Sequence, residues 1–459
     1  MDITLEEKEL KILRDSVDTA NIISGEKMVK SETIKTLINI LEDFLKSNKC
    51  ICYGGTAINN ILPEQDRFYN KDVELPDYDF FSPNAVECAK KLADIFYNAG
   101  YNEVEAKSGI HDGTYKVFVN FIPLADITFL DKEIFDNLIK KTIKINSINY
   151  CPPDFLRMSM YLELSRPMGD VGRWEKVLKR LILLNKNYSL KGINCNKTNF
   201  IRHYEGSKLD ADNIYNIVRK SIINQGLVFF GGYAASLYGK YMPYKERKQL
   251  NKNPDFDVLS TDAESSATII KEQLIYNGYT NILINKKSKV GELITEHYEI
   301  IVKHKNSIDV LCYIYNTNSC HSYNIIDING EKLKIATIDT MLSFYLIYIY
   351  VNRPYYDVNR LLCMSEYLFK VQLRNRLKQK GLLKRFTISC YGKHHTLEDI
   401  RANKAKKYKE LRLNKLKSGD KEYDKYFLRY IPLENNKSKL KTTNIKTKYK
   451  KQTKKRSKK

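Results

Sequence analysis

Three aspartates in the first third of the chain stand at spacings suited to phosphoryl chemistry. Asp77 and Asp79 form an acid–aromatic–acid triplet in LPDYDFFS (75–82), and Asp126 lies in the later apolar stretch PLADITF (123–129). Residues two apart in a strand project from one face, so Asp77 and Asp79 are expected together, with Tyr78 on the opposite side. Two carboxylates that close repel unless a cation neutralises them. A third acid from a neighbouring strand completes an oxygen-donor set that suits Mg²⁺ or Mn²⁺ rather than zinc. Two such ions, about 3.5–4 Å apart, can clamp an in-line displacement: one holds the triphosphate and the leaving pyrophosphate, the other activates the attacking hydroxyl. Upstream, the apolar run 50–53 leads into Gly54, Gly55 and Thr56. Glycines let backbone N–H groups approach a phosphate, and a helix starting there would add its positive end. The Thr56 hydroxyl is a candidate donor to the same phosphate.

Singly these signals are bland, since a Gly-Gly pair is ordinarily a turn and an acid-x-acid triplet ordinarily a solvated or loop-capping pair. Their order carries the information, and the order occurs twice. CICYGGTAINN (50–60), PDYDFFS (76–82) and ADITF (125–129) are echoed by LVFFGGYAASL (227–237), PDFDVLS (254–260) and SIDVLCYI (307–314). Self-similarity at this many points reads as a tandem duplication of one α/β module. In each copy the acid triplet runs into a helix of about fifteen residues that closes near Gly-Tyr. In the first, Ser82 suits the N-cap, Pro83 the first helical position and Gly100 the left-handed terminus. Residues 114–122 read as a strand. The second copy keeps Gly231, Gly232, Asp255 and Asp257, with Asp309 as its third acid, but has Tyr233 where the first has Thr56. A phenol is too long to replace a short hydroxyl beside a phosphate, so the first copy is expected to be the catalytic one.

These modules need connecting elements. The expected organisation is a catalytic module at 1–150 with N-terminal helices, a helical linker at 151–204 and a second, inactive module at 205–335. A basic helical region at 336–435 and a disordered Lys-rich tail at 436–459 follow. The fold class is α/β (α+β). The tail holds twelve Lys or Arg and no acid, about half of the net charge of +23. The remaining positive excess points to a polyanion such as RNA or DNA. Arg157, Arg166, Arg173, Trp174, Lys176 and Arg180 crowd the linker. Positions 173, 176 and 180 share a helical face, either as a grip on triphosphate or RNA or as a solvated, salt-bridged face. Basic residues from Lys370 to Arg429 interleave with tyrosines, a pattern that can track a single strand. His111 is read as a hairpin residue, and His394 and His395 as surface or RNA-facing. Nine cysteines lack any CxxC pair and read as reduced thiols. No basic start leads into an apolar stretch, and the most apolar run, 341–351, is short for a bilayer, so a soluble intracellular protein is expected.

The residues GGT (54–56), PDYDFFS (76–82) and ADIT (125–128) resemble the polymerase-β-type nucleotidyltransferase superfamily. Within it the chain is similar to the poxvirus-type poly(A) polymerase catalytic subunits of large DNA viruses, the mimivirus-like ones above all. The stretches 110–128, 166–181 and 390–412 share that likeness. The resemblance implies transfer of AMP from ATP to RNA 3′ ends, making the poly(A) tail of viral mRNA. Asp77, Asp79 and Asp126 would be the catalytic, metal-binding acids for two Mg²⁺ or Mn²⁺ ions. Gly54, Gly55, Thr56, Arg173 and Lys176 would bind the nucleotide. It also implies a host-cytoplasmic viral factory, with packaging in the virion and a homodimer as further options and no membrane partner. Adenosine specificity comes from the resemblance alone. A CCA-adding or uridylyl enzyme, or an inactive RNA-binding subunit, remain open alternatives.

Overall fold

Alternation of apolar and polar residues sets the strands of the first module. In TYKVFV, Tyr115, Val117 and Val119 are buried while Thr114, Lys116 and Phe118 are not, the period-two pattern of a sheet covered on one face. The structure, a computed structural model, describes residues 4–70, 72–195, 208–247, 256–304 and 307–433. Asp255 and the Lys-rich tail lie outside these residues. The chain divides into two compact units, one of residues 1–130, 141–151 and 397 onward, the other of residues 131–140 and 152–396.

The first unit is built on strands β1 (Ile51–Tyr53), β2 (Tyr78–Ser82), β3 (Val104–Ser108), β4 (Thr114–Val119), β5 (Ile122–Phe129), β6 (Ile143–Ile145) and β7 (Ile148–Tyr150). Their order is β3-β4-β5-β2-β1-β7-β6, with a short strand Arg429–Tyr430 added outside β3. The second unit carries β8 (Val228–Phe229), β9 (Phe256–Ser260), β10 (Ile282–Lys287), β11 (His297–Lys303), β12 (Ile308–Asn316), β13 (His321–Ile328) and β14 (Glu331–Ala336). Their order is β10-β11-β12-β9-β8-β14-β13, closed by Cys390–Tyr391. The two orders correspond strand for strand. In each, the third strand of the acid motif runs parallel to the second, which is antiparallel to the first. The duplication read from the motifs is thus a duplication of topology.

The helix after the triplet covers Ala85–Asn98 and buries Ala85, Ala89, Leu92, Ala93 and Phe96, the face expected from its spacing. Its N-cap is Asn84 rather than Ser82, because Ser82 is the last residue of β2 and is buried, its Oγ accepting from Asn84 N–H. The expected strand 114–122 is broken at Asn120 and Phe121, which have φ of 49° and 66°. They form the two-residue turn of a hairpin, whose twist demands positive φ at both positions. Phe121 is an unusual occupant and projects into solvent.

The region 336–435 is shared between the units. Ile338–Tyr348, buried along its whole length, and Val358–Arg374 belong to the second, where the first of them packs on Pro153–Leu164. Helices Leu397–Leu413 and Lys421–Phe427 return to the first unit. There the Tyr115 hydroxyl donates to the Lys425 carbonyl, Lys90 pairs with the buried Asp424, and the Tyr430 hydroxyl donates to Asp94. Such long-range anchors leave no local signature. Among the described residues no helix is long and apolar enough to cross a membrane. Four cysteines depart from the reduced-thiol expectation: Cys195 bonds Cys363 and Cys320 bonds Cys390 across separations of 168 and 70 residues. Only the fold brings them together.

His297 and His321 are almost wholly buried in the second unit. The ring nitrogens of His297 lie 3.0 Å from the Thr295 carbonyl and from the Tyr355 hydroxyl, which suits a neutral ring donating through Nδ1 and accepting at Nε2. Burial holds His297 at about 4 and His321 at about 3, against about 6.5 in an unfolded chain. Folded values below the unfolded one mean that this contribution is complete above pH 6.5 and is lost as pH falls toward 4 and 3. At pH 5 the loss is roughly 2 kcal/mol per histidine. Calorimetry should show the thermal midpoint falling between pH 7 and 5, with a shallower fall in His321→Phe; an unchanged midpoint would contradict this.

Candidate active site

The first turn of the glycine–acid motif is built by backbone geometry. Strand β1 ends at Tyr53, and a helix begins at once at Gly54 and runs to Ile61. Gly54 has φ +73°, and a Cβ added there would meet Asp79 Oδ2 at 2.5 Å. Both observations require glycine. They also place the Asp79 carboxylate at the N-terminal, positive end of that helix.

Register supplies the rest. Asp79 stands opposite Tyr53 of β1 and Asp126 of β5, and Asp126 stands opposite Lys116 of β4. Tyr53, Asp79, Asp126 and Lys116 thus form one row across four adjacent strands and share a face. Lys116 Nζ is 2.5 Å from Asp126 Oδ2. Tyr53 stacks on Phe81 with ring centroids 3.9 Å apart, and its hydroxyl lies 2.8 Å from Thr128 Oγ1. Burial first, and the Asp79 charge second, push its phenol above the ordinary range, so it stays protonated. Asp79 and Asp126 are both half-buried.

Asp77 is placed differently. It is exposed and lies one residue before β2 begins. Among the described residues, no three His, Cys, Asp or Glu side chains are gathered closely enough to hold a metal ion. The structure therefore brings Asp79 and Asp126 together and leaves Asp77 beside them in a loop. Thr56 is buried, and its hydroxyl donates 2.6 Å to the Asp77 carbonyl. A hydroxyl has one proton, so here Thr56 fastens the acid loop to the glycine helix rather than pointing a donor at solvent. Gly55 is the second residue of that helix. Arg173 and Lys176 belong to the other unit. Arg173, just before the helix Trp174–Asn187, pairs with Glu163 at 3.3 Å, and Lys176 is exposed on the helix. Arg157, from the same basic cluster, is wholly buried and bound by Asp154, Asn185 and the Tyr188 carbonyl, so its use is structural. Trp174 donates to the Glu163 carbonyl and packs near Phe386. His111 sits in the β3–β4 connection.

A cavity of about 440 Å³ lies behind β2, on the side of Tyr78, lined in part by Thr56, Asn59, Asn60, Arg67, Tyr78 and Tyr150. Strand alternation puts it opposite the Asp79 face, so it is not the acid site.

The second module departs from this arrangement at several points. A Cβ on Gly231 would meet Asp257 Oδ2 at 1.8 Å, so the glycine-to-acid contact persists. Opposite Asp257, however, stands Tyr313, and opposite Tyr313 stands Glu299. The third acid is therefore absent at the position of Asp126, and the lysine is replaced by an acid. Asp309, expected to be that third acid, lies at the start of β12 opposite Val302 and is bound by His304 at 2.8 Å. Its four-residue offset from Tyr313 amounts to about 13 Å along a strand. Tyr313, Tyr315, Tyr348, Tyr355 and Tyr356 surround Asp257 around a cavity of only about 70 Å³. Tyr233 is buried against Phe229 and Phe256, and its hydroxyl accepts from Arg219 Nε at 2.8 Å. Aromatic packing closes in on Asp257 and on the position of Tyr233.

Both modules share one mixed α/β topology, and the first carries both the glycine turn and the paired acids. Residues 39–170 match the family of the poly(A) polymerase catalytic subunit. The chain is 31% identical over 191 residues to a protein of Acanthamoeba polyphaga mimivirus named as a candidate poly(A) polymerase catalytic subunit, covering 41% of this chain and 32% of that protein. It is 30% identical over 181 residues to the protein of the same name from African swine fever virus, covering 38% of each. The match thus spans about a third of the length of these relatives. The crystal structure of the Megavirus polyadenylate synthase superposes with a TM-score of 0.75 over 96% of this chain and 90% of that one, at 20% identity. That likeness extends the shared fold to nearly the whole chain.

Proposed function

We propose that the chain transfers AMP from ATP to the 3′ hydroxyl of RNA, releasing pyrophosphate, in the manner named for its relatives. The observation that carries the reading is the row Asp79–Asp126 set against Gly54 at a helix N-terminus. Two adjacent carboxylates are an oxygen-donor seat of the kind divalent cations take, and Asp77 is near enough in sequence to join. Mg²⁺ or Mn²⁺ held by Asp79, Asp126 and Asp77 would neutralise the triphosphate and lower the pKa of the attacking hydroxyl. The residues of the chain do the remainder. The Gly54–Gly55 turn admits phosphate to backbone N–H groups, Thr56 fixes the loop that carries Asp77, and Tyr53 walls the acids on the β1 side. Arg173 and Lys176 are proposed phosphate contacts. The basic helix Leu397–Leu413, where Leu411 alone is buried, offers a surface for RNA backbone. The second module serves as a structural partner fold. Work in a cytoplasmic viral factory, packaging in the virion and assembly as a homodimer belong to the same proposal.

The test is a labelled RNA primer with each NTP in turn, in Mg²⁺ and in Mn²⁺. Extension with ATP in preference to the others is expected. Preference for CTP or UTP would replace the reading with a CCA-adding or uridylyl activity, and primer binding without extension would leave an RNA-binding subunit.

A further inference from the structure

The row of the first module contains a cation that no motif announces. Lys116 extends from β4 to Asp126 Oδ2, with its side chain 39% exposed and that of Asp126 23% exposed. Both are accessible enough for exchange with solvent ions. The same position in the second module is Glu299, which faces Tyr313 and pairs with Lys287 at 2.9 Å. Where the neighbouring strand supplies an acid, this position is a lysine; where it supplies a tyrosine, the position is an acid. The charge at this point tracks the acid beside it.

We propose that Lys116 is a positioning residue that acts as a placeholder cation in the proposed metal site. Its ammonium lies against the Asp126 carboxylate oxygen, where a divalent ion held by Asp126 would compete with it. Like charges repel, so ion and ammonium cannot share that oxygen closely. An incoming polyphosphate gives the displaced ammonium a new anionic partner. Metal entry is thereby coupled to nucleotide arrival, and linkage makes that coupling reciprocal.

This rests on the metal reading proposed above, and the experiment separates the two. Mn²⁺ binding to the full chain is followed by electron paramagnetic resonance, with and without a non-hydrolysable ATP analogue, in wild type, Lys116→Met, Lys116→Arg and Asp79→Asn. Without nucleotide, Lys116→Met is expected to bind Mn²⁺ about three- to tenfold more tightly than wild type, because a competing positive charge is gone. Lys116→Arg should match wild type, and the strengthening of Mn²⁺ binding by nucleotide should shrink in Lys116→Met. Equal or weaker Mn²⁺ binding in Lys116→Met would overturn the placeholder role. Unaltered Mn²⁺ binding in Asp79→Asn would instead overturn the metal site itself.

Discussion

Changing Asp79 to asparagine is expected to lower RNA 3′-end extension by about a thousandfold or more, whereas Asp257→Asn should change it less than about threefold. Asparagine keeps the size of the side chain and removes its charge, so the contact with Gly54 survives and the seat for a cation does not. Loss of one such electrostatic contribution is worth several kcal/mol in the transition state. Asp257 has lost the companions that would make it useful: Tyr313 fills the place of the third acid, and aromatic rings enclose the carboxylate. Primer extension at saturating ATP, with RNA binding measured in parallel, decides between the copies. A dead Asp257→Asn beside an active Asp79→Asn would transfer the activity to the second module.

The largest effect on stability is expected from Asp339→Ala. Asp339 is 2% exposed near the start of helix Ile338–Tyr348. Arg385 grips it with Nε at 2.8 Å and Nη2 at 2.7 Å, and Gln372 adds a donor at 3.3 Å. Removing the acid strands a largely buried guanidinium, at a cost of about 3–5 kcal/mol. For a unit of this size that corresponds to roughly 6–20 °C in thermal midpoint. Replacing both partners, as Asp339→Leu with Arg385→Met, removes the charges together and should recover most of the loss. A double variant no better than Asp339→Ala would show that the pair is needed for more than mutual neutralisation.

The duplication was legible because glycine turns and acid triplets recur in fixed order, and each has a local cause. A positive φ at Gly54 and a carboxylate over its Cα need particular residue types wherever the chain runs. Register is another matter. Lys116 sits in an alternating strand and reads as one more solvent-facing polar residue; only the alignment of β4 with β5 sets it beside Asp126. The same limit misplaced the third acid of the second module. Asp309 and Tyr313 lie on one strand, and a register shift opposite Ile300 and Ile301 disturbs any count of residues along it. The type of Thr56 marks it as a donor, but its partner, the Asp77 carbonyl, is a backbone atom and invisible to a side-chain pattern. The sulfur pairs and the return of residues 397–433 to the first unit depend on contacts between distant segments.

That return sets a timetable for biosynthesis. The outer edge of β3 is covered by Arg429–Tyr430, and the Tyr115 hydroxyl is satisfied by the Lys425 carbonyl, both made some three hundred residues after the strands they complete. While the ribosome is translating the second module, the first must wait with an unpaired strand edge, the kind of surface that recruits other chains. Nascent products cut short before residue 420 would carry every acid of the site and still leave that edge open. A messenger truncated there should yield aggregating protein, so completion of the sheet doubles as a check that synthesis has passed through the second module.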